Sequence, residues 1–386
     1  MVHGAVSRTL LFLAGAAILA ISLSYALLDI RERRFNADRL FRQCGFDVHC
    51  AVEVLAQMAG IENQAVTLAM FDEALSDYQS SMTYCHDNAH DLGMFLHAYL
   101  RDIARAVALT DHRCGAGAMH GAIQDFFREQ RTRRIPLRDI NIARICPRYP
   151  DNPYAVLRLQ CLHGIGHALM ESYHYDVFGA IERCGEFEPE WEQQSCAKGV
   201  FMENAEQYYA SGRGAFDEND MFFPCNRFGG NFALACYNFQ ASYMWLRHDF
   251  DVARAFGTCD RIIPEKFVRY CYFGMGRSMT VYFALFEDME GSLTLCQTGR
   301  ERYSADCFRG IVMTIVNNRD ADRGFAFCGF VPGRFREDCY DGLGQWLRML
   351  HSTRRARAKE CAKAESPEYV AICMNDNHET ITYHSI

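Results

Sequence analysis

The chain is short of proline, with 9 in 386 residues, and this scarcity beside abundant Ala, Leu, Met, Arg and Glu favours helix over strand. It contains no C-x-x-C, which removes zinc-ribbon, thioredoxin-like and c-type haem readings of its cysteines. No G-x-S-x-G, H-E-x-x-H or Walker sequence occurs, so the common hydrolase, zinc-protease and nucleotide-binding signatures are missing. No N-x-S/T acceptor occurs either, as fits a bacterial envelope protein. Positive charge is not in excess: a net charge of -8 argues against a nucleic-acid partner, which needs a concentrated basic face. The arginine clusters at 131–134 and 354–357 are short and read as solvated helix faces.

Cysteine, in contrast, is plentiful, at 18 residues. From residue 146 onward the cysteines come in pairs: Cys146/Cys161, Cys184/Cys196, Cys225/Cys236, Cys259/Cys271, Cys296/Cys307, Cys328/Cys339 and Cys361/Cys373. The pairs recur roughly every 35 residues, the cadence of stacked helix-turn-helix units that cannot bury their apolar faces alone. Sequential pairing is the simplest connectivity consistent with the period, and it leaves no thiol nucleophile. Residues 35–145 read as a less regular version of the same plan, with Cys44–Cys50 and Cys85–Cys114 as the remaining pairs.

Aligned on the second cysteine, the units share an aromatic residue four positions before it, at Phe232, Phe267, Tyr303, Phe335 and Tyr369, with Leu157 and Glu192 departing. Three positions after it stand Gly164, Gly199, Gly274, Gly310 and Gly342, with Phe239 and Asp376 departing. These offsets lie on one helix face. Each unit is therefore read as a long helix, such as 265–284, and a shorter one, such as 291–297, ending near the next first cysteine. A bond between them closes a loop worth roughly 3 kcal/mol by chain entropy. Gly164-Ile-Gly166, Gly274-Met-Gly276 and Gly342-Leu-Gly344 lack the strand and full G-x-G-x-x-G of a dinucleotide fingerprint, and read as close-packing positions. The expected fold is all-α, an α-solenoid or rod of stapled helical hairpins. It resembles Sel1-like repeats in period and staple only, since the alanine and leucine-glycine positions of that family are not evident here.

At the amino terminus, Thr9 to Leu28 form about 20 consecutive uncharged residues, the length of one helix crossing a bilayer. Ser22, Ser24 and Ala26 leave a cleaved signal peptide open as the alternative. One arginine before this stretch against three just after it favours a cytoplasmic carboxyl-terminal part, whereas paired cysteines belong in an oxidising compartment. The cysteines are given the greater weight. The expectation is residues 1–34 as tail and inner-membrane anchor, 35–145 as an irregular helical region and 146–386 as repeats, periplasmic or extracellular.

Of 14 histidines, those at 86, 90, 97, 112, 120, 163, 167 and 174 are clustered. His86/His90/His97 and His163/His167/His174 share the spacing H-x3-H-x6-H, each opening one or two residues after a cysteine. On a helix the first two imidazoles of each triplet share a face and can reach one ion. The third lies about 10 Å further along by helical rise. His120 and His167 each stand six residues after a cysteine, so neighbouring repeats should bring them face to face. Glu203 can add a carboxylate, with Asp87 and Asp91 as further ligand or orienting candidates. The sequence thus points to a transition-metal site of His86, His90, His120, His163, His167 and Glu203, taking zinc, copper, iron or nickel. His97, His112 and His174 are assigned structural roles. The expected function is a membrane-anchored metal-binding protein, with catalysis where a coordination position stays open. The alternative is a scaffold binding an envelope protein or glycan on a concave repeat surface.

Overall fold

The computed structural model describes residues 85–148, 156–282, 289–318, 321–351 and 353–375. The expected anchor at 9–28 and the pair Cys44–Cys50 lie outside the described residues, as does the Cys85 side chain. No helix among the described residues is long and apolar enough to cross a membrane.

The described chain is helical, with one isolated bridge between Asp217 and Asp220 and no strand among the described residues. Long and short helices alternate. The long ones are α1 (Cys85–Leu100), α3 (Gly117–Thr132), α4 (Val156–Ser172), α6 (Glu190–Ser211), α7 (Gly230–Arg247), α9 (Val268–Tyr282), α11 (Ser304–Asn318) and α13 (Gly333–Leu350). Between them lie α2 (Ile103–Leu109), α5 (Val177–Cys184), α8 (Val252–Cys259), α10 (Met289–Cys296), α12 (Ala321–Phe330) and α14 (Arg354–Cys361), and α15 (Pro367–Cys373) closes the array.

Local chemistry explains these boundaries. Asp102, Asp176, Asp251 and Thr353 stand before α2, α5, α8 and α14, and each side chain accepts a hydrogen bond from an amide of the first turn. Such caps are worth about 1 kcal/mol apiece and let helices of two turns persist. The few prolines fall at helix starts: Pro189, Pro264 and Pro332 precede helical turns, and Pro367 is the first residue of α15, where its missing N–H has no partner to lose.

All seven cysteine pairs from Cys146 to Cys373 are bonded in sequence order, with Cα atoms 5.3–5.7 Å apart. In the complete units each bond ties the end of a short helix to the following long helix, as the register implies. Cys114 is also disulfide-bonded. This density of disulfides points to an oxidising, extracytoplasmic compartment.

Successive long helices pack on one another, and the glycines let their backbones touch. A Cβ on Gly166 would stand 2.0 Å from the Cys196 carbonyl oxygen, and one on Gly199 would stand 1.9 Å from that of His163. The same reciprocal contact recurs between α9 and α11, where Gly276 meets Cys307 and Gly310 meets Phe273. The glycine pairs are helix-packing positions.

Glu192, which departs from the aromatic stripe, is buried against an equally buried arginine: Arg158 Nε and Nη2 donate to its two carboxylate oxygens at 2.7 and 2.6 Å. Arg158 also donates to the carbonyls of Cys146 and Pro147, so the pair binds α4, α6 and the preceding turn together.

The array is not a straight rod. Helix α11 packs on the 3-10 turn Arg113–Ala116, and Gln160 of α4 donates to Asn317 Oδ1 of α11 at 3.4 Å. The long helices therefore coil tightly enough for the fifth repeat to return to the first, all within one compact unit spanning Glu73–Ile386.

Candidate metal centre

Helices α1, α3, α4 and α6 bring together all six residues singled out from the sequence. His86 and His90 lie on one face of α1, with ring centroids 4.8 Å apart. His120 of α3 lies 5.3 Å from His86 and 5.5 Å from His90. On α4, His163 and His167 are 4.9 Å apart, and they lie 5.2 and 5.3 Å from His120. His120 is thus the central ring. It stacks on His167 at 28°, the opposition expected from their equivalent repeat positions.

Hydrogen bonds set which nitrogen of each ring carries the proton. His86 Nδ1 meets the Cys114 carbonyl oxygen at 2.8 Å, and His90 Nδ1 meets Gln124 Oε1 at 2.8 Å. Both acceptors lack protons, so both Nδ1 atoms donate and each Nε2 keeps its lone pair. These two Nε2 atoms face each other at 3.2 Å. His120 Nε2 donates to the Gln160 carbonyl at 3.0 Å, which leaves its buried Nδ1 as a lone pair without a hydrogen-bond partner among the described residues. Ligand atoms of His86, His90 and His120 lie within 4.8 Å of one another.

A second group of ligand atoms within the same distance comprises His167, Glu203 and Glu206. His167 Nδ1 donates to Glu203 Oε2 at 2.8 Å, a carboxylate–imidazole contact of the kind that orients metal-bound histidine. His163 stands between the groups, its Nε2 donating to Met202 Sδ at 3.3 Å.

The turn that delivers the Cys114 carbonyl is strained. Cys114, Gly115 and Ala116 are all left-handed, with φ of 53°, 59° and 61°. For the two non-glycine residues this conformation costs roughly 1–2 kcal/mol each.

Burial is the first cause of the electrostatics here. It pushes His90, His120 and His163 well below the ordinary imidazole value, and the other rings push further in the same direction. For His163 the charges of Lys198 and Arg277 add to the effect. The cluster is therefore neutral and rich in lone pairs at neutral pH, the state that binds metal. His86 and His90 are half-buried, which leaves the centre reachable from α1.

The other histidines have separate partners. His97 Nδ1 lies 2.7 Å from Asp125 Oδ2, and its Nε2 lies 3.8 Å from Glu129. His112 and His174 are exposed in turns. Asp91 belongs to neither ligand group, and the Asp87 side chain lies outside the described residues. Glu206 and the orienting groups Gln124, Gln160 and Met202 were not singled out from the sequence. Glu206 had a signal, since it lies three residues beyond Glu203 on the same helix face. The others had none, because their role depends on how far one helix slides along the next. No protein-family model, curated protein or solved structure matches the chain.

Proposed function

We propose that this chain is a metal-binding protein whose histidine cluster holds transition-metal ions, displayed outside the cytoplasm from a membrane anchor at residues 9–28. One observation carries the reading: two Nε2 lone pairs face each other at 3.2 Å while both partner nitrogens donate to carbonyl oxygens. Two neutral imidazoles so arranged repel, and a cation between them reverses the sign of the interaction. His120 Nδ1 supplies a third nitrogen. Three imidazoles with a fourth position open to water or substrate form the donor set of catalytic zinc sites, and the same ligands suit copper and iron. His167, Glu203 and Glu206 offer a second, carboxylate-rich position for another ion.

Elemental analysis of full-length protein purified in detergent tests this reading. About one equivalent or more of zinc, copper or iron is expected. His86→Ala/His90→Ala should lose it, and His97→Gln should retain it. Protein that is metal-free and takes up none of these ions at equimolar concentration would leave the scaffold reading instead. The anchor is tested separately: deleting residues 1–34 should release the protein from carbonate-washed membranes.

A further inference from the structure

Next to the histidines lies a second polar feature that metal binding does not use. Lys198 of α6 is buried, with 7% of its surface exposed, and among the described residues it has no hydrogen bond or ion pair. The neighbouring charge is of the same sign: Lys198 and the Arg277 guanidinium of α9 repel each other, and both act on His163. Arg277 lies across the Phe239 ring at 4.1 Å and donates to Asn238 Oδ1 at 3.3 Å and Ser242 Oγ at 3.4 Å. Phe239 in turn lies 6.2 Å from the His163 ring. Helices α4, α6, α7 and α9 thus surround one polar spot with two cations, an amide and a hydroxyl. Burying an ammonium without a counter-charge costs several kcal/mol, and a guanidinium beside it adds to the penalty.

We propose that Lys198 and Arg277 form a binding site for an oxyanion, the carboxylate or phosphate group of a small ligand, alongside the histidine cluster. An anion supplies the counter-charge that the fold omits, and Arg277 presents a planar donor array suited to two oxygens. Burial and Arg277 bring the Lys198 amine down to about 7, so an arriving anion also draws a proton onto it. The site stands on Lys198 and Arg277 and does not depend on whether the imidazoles hold an ion. With an ion bound, a ligand anchored here lies beside the open coordination position.

The test uses full-length protein in detergent, both metal-loaded and chelated, titrated with inorganic phosphate and, in parallel, with acetate. The melting temperature is followed, and acylation of Lys198 by acetic anhydride is mapped by mass spectrometry. We expect one of the anions to raise the melting temperature and shield Lys198 in both metal states, and the stronger of the two identifies the group bound. Lys198→Met should weaken that anion by about tenfold or more, the contribution of one charged hydrogen bond. The same variant, freed of an unpaired buried charge, should melt no lower than wild type without anion. Shielding in unaltered protein keeps the test valid if the variant does not fold. Stabilisation that disappears on chelation but survives in Lys198→Met would put the anion on the metal and overturn the proposal. So would the absence of any effect of either anion.

Discussion

Gly121 offers the sharpest test of how this fold builds its centre. It follows His120 on α3, and a Cβ there would stand 1.8 Å from the His90 carbonyl oxygen, 2.5 Å from its carbonyl carbon and 2.7 Å from its Cα. Backbone atoms cannot swing aside, so Gly121→Ala must part α1 from α3 until the contact reaches at least 3.0 Å, a displacement of about 1.2 Å. The seam resists, because Gly93 and Gly117 touch the Ala118 and His86 carbonyls across it at 1.8 and 2.3 Å. Overpacking of this kind costs about 1–3 kcal/mol, and alanine returns up to about 1 kcal/mol of helix propensity. The expected net loss is about 1–2 kcal/mol by guanidinium denaturation followed by circular dichroism. Metal ligation tolerates only about 0.2 Å, so zinc affinity measured against a chromophoric chelator should fall by at least about tenfold. Gly257→Ala in α8 is the control, since a Cβ there meets nothing within 4 Å and helix propensity predicts stabilisation of up to about 1 kcal/mol. A Gly121→Ala protein with the stability and zinc affinity of wild type would refute the argument that backbone contact sets the ligand spacing.

Other consequences are equally specific. His90, His120 and His163 titrate below the unfolded value of 6.5, so protons bind the unfolded chain first as pH falls. Metal-free stability should therefore be complete above about pH 6.5 and decline below it, each histidine adding a slope of up to about 1.4 kcal/mol per pH unit. A flat profile from pH 7 to 5 would contradict this. Arg158→Met strands the buried Glu192 carboxylate and should cost about 3–5 kcal/mol, whereas Arg158→Met/Glu192→Leu should recover most of the loss in a double-mutant cycle. Replacing Cys225 and Cys236 together by serine opens a loop with a sequence separation of 11 and should cost about 2–4 kcal/mol without altering the helical circular-dichroism signal of the folded protein.

What was legible in the sequence follows from range. Each staple spans 11 to 15 residues, and a bond that short can be read from spacing alone. The glycines were legible for a related reason: a residue repeating in phase with the staple must serve the contact that every unit makes. Repeat equivalence likewise carried the opposition of His120 and His167, because stacked units place matching positions side by side. Glu192 reads as an exception until Arg158, 34 residues away, is found lying against it.

The sequence by itself determined the helices, their alternation of long and short, the staples and the imidazoles that share a helix face, since all of these are set within one or two neighbouring repeats. Only the tertiary structure decided the tautomers of His86, His90 and His120, the entry of Glu206 and the isolation of Lys198. It also decided the coiling that returns α11 to α4. Each of these depends on the angle and slide between helices. Those are fixed by the whole packed surface rather than by any periodic residue, and a small rotation at each of several interfaces accumulates into a closed turn.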